Sequence, residues 1–124
     1  MSSTPKPRPL ANYSPARRVG GFVFVSGSSG RQGDGSIAED VGGQTEATLA
    51  RIGDILADHG ATLADVVEAQ VFLVDMADYA AMNAVWNRVF ADPAKFPART
   101  TVAVRALPQA QLLVEIRATA WVTG

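Results

Sequence analysis

Cysteine is absent from the 124 residues, and histidine occurs once, at His59. The first absence excludes disulfides, thiolate metal sites, iron–sulfur clusters and a cysteine nucleophile. The second excludes a zinc site built on two or three histidines, and any pair of histidines working as acid and base. Charge of one sign is lacking too. Eleven Lys and Arg stand against twelve Asp and Glu, a formal net charge of -1, so no basic excess drives non-specific nucleic-acid binding. No apolar run reaches the roughly 18 residues of a membrane span. The opening MSSTPKPRPL has no apolar core, so it does not read as a secretory signal. The expectation is a cytoplasmic protein with no nucleic-acid or membrane partner and no metal or cofactor.

Apolar residues make up 48% of the chain, enough for one well-buried domain over residues 10–124. Residues 1–9, with Pro5, Pro7 and Pro9 in alternation, read as an extended flexible tail. Val19 to Ser26 is rich in β-branched and aromatic residues and predicts a buried strand opened by Gly20-Gly21. Four glycines between Gly27 and Gly35 predict a loop. That loop lacks the Gly-Lys-Ser/Thr ending of a phosphate cradle.

Gln44 to His59 predicts the first helix, with Thr45, Leu49, Ile52, Ile55, Leu56 and His59 along one face and Gly60 as its stop. Val66 to Val74 predicts a strand, with Val67, Ala69, Val71 and Leu73 on one face. Asp75 or Asp78 can cap a second helix, in which Tyr79, Met82, Trp86, Val89 and Phe90 form an apolar stripe ended by the Pro93–Pro97 segment. Thr100 to Val104 and Leu112 to Val122 predict two last strands. The result is an α+β fold, a mixed sheet with two helices packed on one face. Strands that are apolar on both faces point to a second copy covering the other side, hence a homo-oligomer.

The chemistry must come from carboxylates, guanidiniums, hydroxyls and amides. Arginine outnumbers lysine nine to two, a bias that suits bidentate binding of small anions. Arg99 stands at the mouth of a strand in Phe-Pro-Ala-Arg-Thr-Thr, and Glu115 interrupts the apolar run Leu-Leu-Val-Glu-Ile. If the last two strands form a hairpin centred on Pro108, Thr101 faces Glu115 and Arg99 faces Arg117. Arg99 then lies diagonal to Glu115 at about 7 Å. Such a pair is either a site or a structural ion pair, with Arg117 as the other partner for Glu115. Asn83, at the edge of the second helix's apolar stripe, is the polar group to watch there.

Several stretches resemble the RidA family, also called YjgF-like or L-PSP. They are Tyr13-Ser-Pro with Val-Phe-Val-Ser-Gly27, Val-Phe-Leu-Val-Asp-Met76 running to Met82-Asn83, and Phe96-Pro-Ala-Arg-Thr-Thr-Val102. Leu107-Pro108 and Val114-Glu-Ile116 complete the set. The likeness runs in order from about residue 10 to the end. It implies a chorismate-mutase-like fold and a homotrimer with sites at subunit interfaces. It also implies hydrolysis of reactive 2-imino and enamino carboxylic acids to 2-oxo acids and ammonia, without a cofactor. By this resemblance Arg99 would hold the substrate carboxylate and Glu115 would position or activate water. Tyr13, Ser26, Gly27 and Asn83 would line the pocket. Thr101 stands where many members carry cysteine, and Ser28 where the best-known branch has glutamine. Val-Ser-Gly-Ser-Ser-Gly-Arg31 and Leu-Pro-Gln-Ala-Gln-Leu-Leu-Val-Glu115 look more like the 2-aminomuconate deaminase branch, which would give Arg31 or Arg17 a second carboxylate to bind. A solvated loop arginine is the alternative for Arg31. Two other functions compete: a non-catalytic protein that binds or senses small carboxylates, and a ribonuclease or translation inhibitor. The charge balance and the single histidine weigh against the ribonuclease.

Overall fold

The computed structural model describes residues 11–123, so the tail expected over residues 1–9 lies outside the described residues. The elements run β1 (Ala16–Val19), β2 (Phe22–Ser28), α1 (Val41–Ala57), β3 (Val66–Leu73), α2 (Tyr79–Val89), β4 (Ala98–Ala103) and β5 (Val114–Trp121). The strands form one mixed sheet in the order β1-β2-β5-β3-β4, and both helices pack on the same side of it. This is the α+β architecture expected.

The stretch expected as one strand from Val19 is two strands. Gly20 adopts φ +59°, and the pairing of Val19 with Phe22 leaves Gly20-Gly21 as a two-residue hairpin turn. The second strand then runs past Ser26 through Gly27 and Ser28, which the glycine content alone places in the loop. A bulge between Val25 and Ser28 absorbs them.

α1 starts at Val41, three residues before the expected Gln44, and ends at Ala57. His59 therefore lies beyond the helix, in its capping turn. There the Ala61 N–H donates to the Leu56 carbonyl and the Gly60 N–H to the Ala57 carbonyl. The inward face carries Gln44, Thr45, Thr48, Leu49, Ile52, Ile55 and Leu56. Gln44 is fully buried and fully bonded. Its amide donates to the Ala38 and Gln111 carbonyls (2.8 and 2.9 Å), and its carbonyl accepts from the Leu113 N–H at 2.7 Å. One polar side chain thus fixes the loop before α1 and the entry to β5, where Glu115 sits.

In β3 the core residues are Val66, Ala69, Val71 and Leu73. Val67, expected among them, is 47% exposed, because the register shifts between Val66 and Glu68 and the bulge turns it outward. Asp75 caps the short 3₁₀ turn Met76–Asp78 by accepting from the Ala77 N–H. Asp78, at the start of α2, makes no side-chain cap.

The last two strands do not pair. β4 runs parallel to β3, with α2 as the crossover, and β5 inserts antiparallel between β2 and β3. Ten residues, 104–113, separate β4 from β5, which is long for a hairpin loop and sufficient to step across β3. β5 carries Val114, Ile116, Ala118 and Ala120 into the core. The far side of the sheet is uncovered within one chain. Phe22, Phe24 and Trp121 stand there 45%, 43% and 47% exposed.

Candidate active site

Arg99 projects from β4 on the helix-covered side. It pairs across the ladder with Ala69, whose other neighbour is Ala118, and all three share a face. Residues from α2 hold its guanidinium. The guanidinium carbon lies 4.8 Å from the centroid of the Trp86 ring and 5.7 Å from that of Tyr79. One nitrogen donates to the Tyr79 hydroxyl at 3.2 Å, and another reaches the Met82 sulfur at 3.9 Å. Aromatic faces suit a cation without neutralising it. No carboxylate among the described residues pairs with Arg99, so its fork keeps donors for an anion.

Two polar atoms nearby are buried with no partner among the described residues: Asn83 Oδ1 and Thr101 Oγ1. Thr101 follows Arg99 by two residues and shares its face. Asn83 follows Tyr79 by one helical turn. The Asn83 side chain and then the Arg99 charge stabilise the Tyr79 phenolate, which holds the phenol below its usual range. Buried polar atoms ordinarily have partners, so a guanidinium and two unsatisfied oxygens in one place fit a polar ligand.

Glu115 lies elsewhere. It pairs with Phe72, on the face opposite Val71 and Ile116. Gly27 packs directly over its carboxylate, and a Cβ at position 27 would come 2.6 Å from Glu115 Oε2. Glu115 is half-buried, and desolvation pushes its carboxyl above the ordinary value. The structural ion pair considered for Glu115 with Arg99 or Arg117 is absent among the described residues. Arg117 pairs with Gln70 rather than Arg99.

The remaining expected residues lie on β1, β2 and the segments that flank them. The Ser26 hydroxyl donates to the Ser14 carbonyl at 2.5 Å, and the Ser26 N–H donates to the Pro15 carbonyl. Ser26 therefore fastens the segment that carries the exposed Tyr13. Arg31 lies half-buried in the loop after β2, its N–H 3.4 Å from the Ser29 hydroxyl. Arg17 is on the uncovered face, opposite Phe24.

Arg99, Asn83 and Thr101 are thus brought together, as are Glu115 and Gly27, but the two groups are not brought together within one chain. Helical spacing alone assigns Tyr79, Met82 and Trp86 to the core. Met82 and Trp86 are core, yet all three also hold Arg99. The four-residue step from Tyr79 to Asn83 was the available signal.

A five-stranded mixed sheet under two helices, with a guanidinium seated on aromatic rings and two unsatisfied oxygens beside it, defines an α+β protein with a polar site at the edge strand. The family model described as Endoribonuclease L-PSP matches residues 3–122, and the chain belongs to that family. This is the family that its motifs resemble under the name RidA. Among similar proteins, 3-aminoacrylate deaminase RutC of Acinetobacter baylyi is 37% identical over 118 residues, covering 94% of this chain and 91% of that protein. Reactive Intermediate Deaminase A, chloroplastic, of Arabidopsis thaliana is 36% identical over 122 residues, covering 96% of this chain and 64% of that protein. The crystal structure of E. coli TdcF with bound serine superposes with a TM-score of 0.88 at 28% identity, covering 95% of this chain and 94% of that one. The relatives support an imine or enamine deaminase in general. Among the described residues, no helix is long and apolar enough to cross a membrane.

Proposed function

We propose that the protein hydrolyses 2-imino and enamino carboxylic acids to 2-oxo acids and ammonia, at sites formed between copies of the chain. In this reading Arg99 of one copy binds the substrate carboxylate, and Glu115 of the next handles water. The observation that carries it is that two charged groups of opposite sign, neither with a counter-ion among the described residues, lie on opposite faces of one sheet. A second copy against the uncovered face can bring them together. The proposed assembly is a closed homotrimer, supported by the exposed Phe22, Phe24 and Trp121 on that face.

The chemistry suits these groups. An imine carbon is already electrophilic. The substrate reacts as its iminium. The Glu115 carboxylate takes a proton from water as the oxygen attacks, giving a neutral carbinolamine. Glu115 returns that proton to the amino group, the C–N bond breaks and ammonia leaves, while the hydroxyl proton passes back to the carboxylate as the carbonyl forms. An enamine first takes a proton on carbon to become the same iminium. A half-buried carboxyl with a raised pKa suits both roles. The charge-assisted Arg99–carboxylate contact contributes about 1.5–3 kcal/mol. Asn83 Oδ1 and Thr101 Oγ1 accept hydrogen bonds from the substrate, and the backbone at Gly27 lets it approach Glu115 closely. The loop likeness makes 2-aminomuconate the particular enamine to try first.

The test couples an amino-acid oxidase, which makes 2-imino acids in place, to semicarbazide as a competing trap. Wild-type protein suppresses semicarbazone formation and Arg99→Ala does not. Full suppression by Arg99→Ala would overturn the site.

A further inference from the structure

The Tyr79 hydroxyl accepts from an Arg99 nitrogen at 3.2 Å. A phenol oxygen that accepts a hydrogen bond still has its own O–H to donate. No acceptor among the described residues takes that proton. Asn83 Oδ1, one helical turn further along α2, is itself without a partner among them. The hydroxyl thus stands beside the anion-binding fork of Arg99 with a free donor. Tyr79 is exposed at the start of α2, so solvent reaches it.

The enamine route calls for such a donor. An enamine becomes an iminium only when its β-carbon takes a proton. Attack on an iminium requires Glu115 to arrive ionised, so the state of the protein that accepts iminiums has no Glu115 proton to give. The β-carbon of a 2-enamino acid lies two bonds from its carboxylate carbon. A substrate carboxylate on Arg99 therefore brings that carbon among the side chains that hold Arg99: Tyr79, Met82 and Trp86. Of the three, only Tyr79 has an acidic proton.

We propose that Tyr79 is a second catalytic residue, the general acid that protonates the β-carbon of enamine substrates. The phenol O–H bond breaks, and the C=C electron pair forms the new C–H bond. The nitrogen lone pair closes the C=N bond, which leaves an iminium and a phenolate. Arg99, already bonded to that oxygen, faces the new negative charge. Asn83 and then Arg99 ease the ionisation of this phenol even before substrate arrives. Water returns a proton to the phenolate, and Glu115 hydrolyses the iminium as an imine substrate would be hydrolysed. Because Tyr79 is fixed on α2, its proton reaches one face of the C=C bond. This rests on the deaminase reading and deepens it, since it makes enamines substrates in their own right.

The test reads that face. A threonine dehydratase releases 2-aminocrotonate in deuterium oxide, with the intact protein in excess. Lactate dehydrogenase and NADH reduce the 2-oxobutyrate as it forms, and NMR of the 2-hydroxybutyrate gives the configuration of the deuterated carbon. The dehydratase alone sets the baseline ratio. Wild type shifts the product to one configuration, and Tyr79→Phe returns it to the baseline. A group that only braced Arg99 or bound the carboxylate would change KM and leave the configuration as in wild type. A Tyr79→Phe variant that keeps the wild-type configuration therefore overturns the proposal. So does a wild type at the baseline ratio, which marks a protein that takes only imine formed in solution. Imine hydrolysis is followed beside it with the oxidase and semicarbazide. If wild type hydrolyses imines but leaves the ratio at baseline, the role of Tyr79 falls alone. If it does neither, the deaminase reading falls with it.

Discussion

Arg99 and Glu115 lie on opposite faces of the sheet, on strands that β3 separates. Ala69 and Val71 share the face of Arg99, whereas Phe72 shares that of Glu115. Neither charged group has a counter-ion among the described residues. Each is therefore half of an arrangement, and the predictions follow from what completes it.

Gly27→Ala tests the packing over Glu115. The added methyl meets Oε2, the far end of a flexible side chain, so the carboxylate moves and the backbone does not. Stability should change by about 1 kcal/mol or less, while kcat falls at least tenfold. Thermal melts and steady-state kinetics on the same preparation check both halves.

Glu115→Gln tests the raised carboxyl. Desolvation raises the folded-state pKa above that of the unfolded chain, so the folded state binds the proton more tightly. Wild-type stability is then fullest below the unfolded value and declines as pH rises through the folded one. The glutamine variant carries no such loss. Its melting temperature should gain on wild type as pH climbs through and above the carboxylate range, with activity lost throughout. Wild-type kcat/KM should rise along a limb placed above the ordinary glutamate value.

Tyr79→Phe tests the neighbour of Arg99. Asn83 and Arg99 lower the phenol's pKa, so the phenolate forms below the usual tyrosine range. A phenolate beside Arg99 competes with the substrate carboxylate, and wild-type KM should climb at alkaline pH. The phenylalanine variant lacks that limb. Losing the 3.2 Å hydrogen bond should also raise its KM a few-fold at neutral pH, roughly what one such bond contributes.

Much of this was legible in the sequence. The periodicity of Leu49, Ile52, Ile55 and Leu56 located α1, and the alternation of Ala69, Val71 and Leu73 located β3 with its inner face. The ordered motifs located Arg99 and Glu115. What failed was pairing. Strand order depends on which apolar edge each strand finds in three dimensions, and the local pattern of β5 is the same at the centre of a sheet as in a hairpin. Val67 was misplaced because a bulge leaves no mark in an alternating pattern. Gly20-Gly21 reads in the sequence as the opening of a strand, whereas the pairing of Val19 with Phe22 makes it a turn.

The central claim is that each site takes Arg99 from one copy and Glu115 from another, and mixing two inactive variants tests it most directly. Arg99→Ala and Glu115→Gln proteins are unfolded together in equal amounts, refolded and assayed for imine hydrolysis. If the copies share sites around a ring, random assembly restores an intact pair at about a quarter of the sites, and activity returns to about that fraction of wild type. If the mixture is no more active than either variant alone while mixed oligomers have formed, each chain supplies its own site and the account is wrong.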